Sequence, residues 1–221
     1  MKRMMWVCLL LLITLIAVHP VSAQVEFGIG AKLGLNFGSL SLDPETLNPG
    51  ITKGGRTTFM AGAAAEIGFA KMFYVALEPT YCGKGCQFTQ GSVTQTLAYN
   101  YLNLPILFKV KFLKGIVRPY GFAGPNLGIL LSATSKIEGA QNPAANGDTD
   151  IKQFTSGTDF AIDFGGGAEF NVIPKLGITG DVRYSLGLSD INNTPVQPGV
   201  TALKLHTHGF QIMFGAMYHV L

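Results

Sequence analysis

An all-β fold, an eight-stranded antiparallel up-and-down transmembrane β-barrel, is predicted by three features of the sequence. These are long period-two alternation, alternately short and long connections, and a secretory leader at the N-terminus. The leader spans residues 1–23, and the barrel is expected over 24–221. Lys2 and Arg3 precede an apolar run from Trp6 to Val18 broken only by Thr14. His19 and Pro20 end the run, and Val21-Ser22-Ala23 places small residues before Gln24, the pattern of a cleaved signal peptide. The run is shorter than the roughly 20 residues of a membrane-spanning helix.

Each strand is read from its alternation. From Val25 to Phe37 every odd position is apolar and every even one is Gly or polar. That is a strong strand signal, and its length suits a tilted membrane strand of about 9–11 residues. The second strand sets Phe59, Ala61, Ala63, Ala65, Ile67 and Phe69 opposite Glu66. The third sets Phe73, Val75, Leu77 and Tyr81 opposite Glu78 and Thr80. The fourth sets Leu102, Leu104, Ile106, Phe108, Val110 and Phe112 opposite Asn103, Lys109 and Lys111. A fifth runs over about 117–131, with a register shift expected at Gly124-Pro125 through a bulge. The sixth sets Phe160, Ile162, Phe164, Ala168 and Phe170 opposite Asp159, Asp163 and Glu169. The seventh sets Leu176, Ile178, Val182, Tyr184, Leu186 and Leu188 opposite Thr179, Asp181 and Arg183. The last sets Phe210, Ile212, Phe214, Ala216, Tyr218 and Val220 opposite Gln211 and His219.

Long polar connections are expected at 38–56, 132–157 and 190–203, with a shorter one near 85–95. Tight turns are expected at 70–72, 113–115 and 172–174. Short periplasmic turns alternating with longer external loops are the pattern of a transmembrane barrel, and they put both ends of the mature chain on the periplasmic side.

Alternation alone does not separate a membrane barrel from a soluble one, such as a periplasmic lipocalin-like binder. The 28 glycines and 13% charged residues favour the membrane, because a water-facing surface is richer in Lys and Glu. Phe27, Phe37, Phe69, Phe73, Phe112, Phe170 and Tyr218 gather near strand ends, as interfacial aromatics do. The non-apolar face then places Glu26, Lys32, Glu66, Glu78, Lys109, Lys111, Asp163, Glu169, Asp181 and Arg183 in the lumen as a structural charge network. Acids and bases are mixed, as pairing of desolvated charges requires. An eight-stranded barrel is just wide enough for side chains to fill, so a filled interior is favoured over a gated path.

Other chemistry is sparse. Removing Lys2 and Arg3 leaves 14 Lys and Arg against 13 acids, a net +1, which is no nucleic-acid field. Cys82 and Cys86 would stand about 13 Å apart on an extended strand, too far for a disulfide unless Gly83 and Gly85 fold the segment into a turn. His206 and His208 are the candidate bases near the outer rim, and His219 lies at the periplasmic end. No G-x-S-x-G, phosphate loop or catalytic triad accompanies them. The loop Asp148-Thr149-Asp150 lacks the six oxygen ligands of a calcium site. The expectation is a monomer with no catalytic residue, cofactor or metal, which meets outer-membrane lipid on its outer face and protein partners at its external loops. A narrow channel or transport barrel is the alternative, and a lipid-modifying outer-membrane enzyme the third.

Four segments carry a family resemblance: Gly30-Ala31-Lys32-Leu33-Gly34-Leu35-Asn36-Phe37, Tyr101-Leu102-Asn103-Leu104-Pro105-Ile106-Leu107, Arg118-Pro119-Tyr120-Gly121-Phe122-Ala123-Gly124-Pro125 and Arg183-Tyr184-Ser185-Leu186-Gly187-Leu188. In this order they resemble the Bacteroidetes outer-membrane β-barrel domain proteins, which include the PorT-like group, over nearly all of 24–221. The resemblance implies an eight-stranded barrel in the outer membrane and, for PorT-like members, a role in protein secretion. Asn103 stands where the family has an acid. The ending Tyr218-His219-Val220-Leu221 places the assembly signal one residue from the usual terminal aromatic.

Overall fold

The computed structural model describes residues 25–43, 50–70, 72–112, 115–195 and 203–220; the leader expected over 1–23 lies outside them. Among the described residues ten strands form one sheet: β1 Glu26–Asp43, β2 Thr52–Phe69, β3 Phe73–Leu77, β4 Thr80–Gln90, β5 Val93–Lys111, β6 Val117–Glu138, β7 Gly147–Asp150, β8 Thr158–Ile173, β9 Leu176–Gly187 and β10 Lys204–His219. Both β3 and β4 pair with β2 and β5, so they are one wall strand interrupted at Glu78-Pro79. The ladder is bridged at the break. Ala63 N–H donates to Pro79 O at 3.0 Å and Glu78 N–H donates to Pro105 O at 3.2 Å. β7 is a short strip beside the outer end of β6. Eight wall strands therefore remain, all antiparallel, and β1 closes the ring on β10 from Gly28↔His219 to Asp43↔Lys204. No helix among the described residues is long and apolar enough to cross a membrane.

The outward face explains the length of these strands. Its apolar stripe runs from Phe27 to Phe37 on β1, from Phe59 to Phe69 on β2 and from Phe160 to Phe170 on β8. Ten residues of tilted strand rise about 25 Å, the height of an outer-membrane apolar band. Leu33, Phe59, Ile106 and Phe214 are each more than half exposed, as lipid-facing side chains in such a band are.

Beyond that band the two faces exchange character. On β1 the outward residues become Ser39, Ser41 and Asp43, while Leu40 turns inward and is fully buried. On β5 and β6, Thr96, Asn100, Thr134 and Lys136 share the less buried face, and Tyr99, Tyr101, Leu130 and Ala133 are buried. Leu40, Cys86, Tyr99, Tyr101, Leu130, Ala133 and Ile191 pack together as one cluster. The outer end is thus built like a water-soluble barrel and the rest like a membrane barrel.

This inversion overturns part of the expected loop pattern. β1 continues to Asp43, β2 begins at Thr52 and β6 continues to Glu138, so strand replaces much of the connections expected at 38–56 and 132–157. The segment 85–95 is strand on both sides of a two-residue turn, Gly91-Ser92, where Gly91 takes φ +58°. The register shift expected at Gly124-Pro125 is also absent: β6 holds one register against β8 from Val117 to Ile129. Gly124 approaches β5 so closely that a Cβ there would lie 1.9 Å from Ile106 O. The slip against β5 falls at Leu131, between the pairs Tyr101↔Leu130 and Asn100↔Ser132, where the apolar band ends.

Candidate functional site

Alternation carries the polar half of each wall strand into the interior, and the eight-strand ring brings those side chains within reach of one another. Lys32, Glu66, Glu78, Lys109, Lys111, Asp163, Glu169, Asp181 and Arg183 are all buried. Glu78, at the break between β3 and β4, is the hub. Its Oε1 accepts from Lys109 Nζ at 2.6 Å and pairs with Lys32 Nζ at 3.0 Å, and its Oε2 accepts from Arg183 Nη2 at 2.5 Å. Lys32 also donates to Asp181 Oδ2 at 2.7 Å, and Tyr120 of β6 donates to the same oxygen at 3.0 Å. Arg183 Nη1 lies 3.5 Å from Asp163 Oδ2 and its guanidinium stacks over Phe122 at 5.0 Å.

A second knot lies nearer the termini. Lys111 donates to Glu66 and, at 2.6 Å, to Glu169 Oε2, whose other oxygen is 2.7 Å from His219 Nε2. Glu66, Glu169 and His219 could hold a metal by spacing. Lys111 already binds both carboxylates, so a resident ammonium occupies the place of a cation. Glu26, tenth of the residues expected in the lumen, sits at the rim with its side chain 19% exposed; Tyr74 donates to it and Arg118 Nη1 is 3.8 Å away. Between the two knots every wall strand contributes a member, from Lys32 on β1 to His219 on β10.

Three charged participants were missed by sequence reasoning. Lys84 donates to Asp159 Oδ2 at 2.8 Å, and Thr207 donates to the same oxygen at 2.6 Å. Lys84, between Gly83 and Gly85, lies past Tyr81, the last residue that the alternation assigned to that strand. Asp159 stands opposite Phe160 in the alternation and could have been found by that signal. Arg118, one residue before Pro119, joins through Tyr74, to which it donates at 2.6 Å. Cys82 and Cys86 are free, buried and on one extended strand.

Above the Lys84–Asp159 pair sits the apolar cluster of Leu40, Tyr99, Tyr101 and Ile191. It borders a cleft of about 310 Å³ at the outer mouth, lined by Leu97, Tyr99, Ile151, Phe154, Ile191 and Leu205 among others. His206 and His208 lie on the lipid-side face of β10 at this height, with partners in Ser189 O at 2.9 Å and Ser41 Oγ at 3.3 Å. Asp148 and Asp150 are exposed on β7, and Asp150 Oδ1 accepts the backbone N–H of Lys152 at 2.8 Å.

The sequence profile of the outer membrane protein β-barrel domain matches residues 22–193. The chain belongs to that family. Among solved structures, the outer membrane protein OprG from Pseudomonas aeruginosa is similar with a TM-score of 0.52 and 16% identity, over 88% of this chain and 95% of that one. Neisserial surface protein A gives 0.51 and 14%, over 87% of this chain and 96% of that one. At these identities the likeness is one of fold. No curated protein matches the chain in sequence. The family and the fold together make this a small outer-membrane β-barrel protein, located in the bacterial outer membrane.

Proposed function

We propose that this outer-membrane β-barrel protein is a closed, monomeric scaffold of the cell envelope that works through its outer end rather than through its lumen. The ion-paired interior carries this reading: Glu78 alone ties together three cations from three strands. Opening a path would have to strip paired charges of their partners in a desolvated lumen, at several kcal/mol per group. The apolar cluster above adds a second obstruction, since a hydrated ion gains nothing there. At the outer mouth, the apolar cleft and the strand extensions supply a rigid surface for a protein partner. The resemblance to PorT-like barrels supports an accessory role in protein secretion for that contact. A non-enzymatic role accords with His206 and His208 facing outward on β10, each with a structural partner.

Planar-bilayer recording tests the closed lumen. The expected record has no steady single-channel steps for the folded barrel, and discrete, reproducible openings would overturn the scaffold reading in favour of a channel.

A further inference from the structure

Three sulfur-bearing side chains meet inside the barrel: Met60 of β2, Cys82 of β4 and Met213 of β10 are 0–1% exposed and pack against one another. Their meeting follows from register. Cys82 is the partner of Met60, Met60 is the partner of Gly34 on β1, and Gly34 is the partner of Met213. Four neighbouring strands therefore present, at one height, a thiol, a thioether, a bare backbone and a second thioether. The bare position is required. A Cβ on Gly34 would lie 3.0 Å from Met213 Cγ, so the Met213 side chain lies against the ground a residue 34 side chain would take. One position above, Asn36 of β1 donates its Nδ2 to Gly83 O at 2.8 Å and ties β4 down beside Cys82.

We propose that Met60, Cys82 and Met213 form a binding site for one soft monovalent metal ion of the copper(I) type, for which silver(I) is a redox-inert probe. Two thioethers and a thiol are soft, polarizable donors, and such donors select Cu(I) over the hard divalent cations that carboxylates hold. The neighbouring carboxylates are each paired with a cation: Asp181 with Lys32, Asp159 with Lys84 and Asp163 with Arg183. A hard cation would have to compete with these resident ammonium and guanidinium groups, whereas a soft one finds three sulfurs from three strands. Binding exchanges the Cys82 thiol proton for the metal, with no change of oxidation state. Thiolate and monovalent ion then sum to zero charge, so the neighbouring ion pairs keep their balance. This site is independent of the scaffold reading, because it needs no continuous path through the lumen.

Silver(I) titration against a competing chelator tests it, using the detergent-folded barrel with Cys86→Ser so that Cys82 is the remaining thiol of the mature chain. One ion per barrel is expected. Met60→Leu with Met213→Leu keeps apolar bulk while removing both thioethers. It is expected to weaken binding at least about 100-fold, more than loss of an outer-shell partner costs a metal site. Equal binding by the parent and the double-leucine variant, or no binding by the parent, would overturn the site. Heat-shifted gel mobility checks that each variant is folded. If the double variant does not fold, X-ray absorption of the Cys86→Ser barrel loaded anaerobically with Cu(I) decides. Three sulfur neighbours support the site, and nitrogen or oxygen neighbours reject it.

Discussion

Glu78 concentrates the interior energetics into one residue, since Lys32, Lys109 and Arg183 all bind its two oxygens. Glu78→Gln removes the charge and keeps the shape, which leaves Lys109 with a carboxylate only at 3.7 Å. The loss expected is about 3–5 kcal/mol, the cost of breaking a buried pair from one side, read from urea unfolding in detergent by circular dichroism. Lys136→Ala, which cuts the exposed pair with Glu138, is expected to leave the same midpoint unchanged. The sequence revealed the residues of this network better than their contacts. Period two says which face Glu78 and Arg183 occupy, but which lysine meets which carboxylate depends on strand stagger. No local pattern encodes that. Lys84 escaped altogether because Gly83 and Gly85 carry no side chain to continue the alternation past Tyr81.

At the scale of the element, β6 and β1 each hold a position where the wall tolerates no change and one where it does. Gly124→Ala on β6 would drive a Cβ into Ile106 O and is expected to cost about 1–3 kcal/mol. Gly121→Ala, with 3.9 Å of room, is expected to stay within about 0.5 kcal/mol. Thermal unfolding of the two variants side by side checks this. On β1, Leu33→Arg would put a charge in the middle of the lipid-facing stripe, at about 2–4 kcal/mol. Ser41→Arg, on the same face eight residues on, lies past Phe37 and is expected to be neutral. Equal costs at the two positions would place the bilayer boundary elsewhere. These strand ends were illegible as strands for a definite reason. The alternation does not stop at Phe37; its apolar phase moves from odd positions to the even positions of Leu40 and Leu42. A pattern that keeps its period and reverses its sense looks like the end of a strand until the partner strands are seen.

The whole molecule has a polarity set by its connections, with the tight turns and both described chain ends at one end and the strand extensions at the other. Single cysteines at Ser92 and Lys175, both exposed, report it. A membrane-impermeant maleimide added to intact cells is expected to label Ser92→Cys, and to label Lys175→Cys only after the outer membrane is opened. The native Cys82 and Cys86 are buried and are expected to stay silent in both. Eight wall strands and their antiparallel closure were readable because each rests on a short-range signal. The exchange of faces at the outer end was not, because it is a property of the closed ring.

That exchange also sets how the protein rides in its bilayer. A uniform greasy cylinder can slide along the membrane normal at little cost, much as a cork floats at any tilt. Here a rise would lift Phe37 and Phe59 into water, and a fall would drag Ser41, Asp43 and His206 into hydrocarbon, so the molecule carries its own waterline. When the surrounding lipid is thicker or thinner than the span from Phe27 to Phe37, the protein holds its draught and the lipid has to bend to meet it.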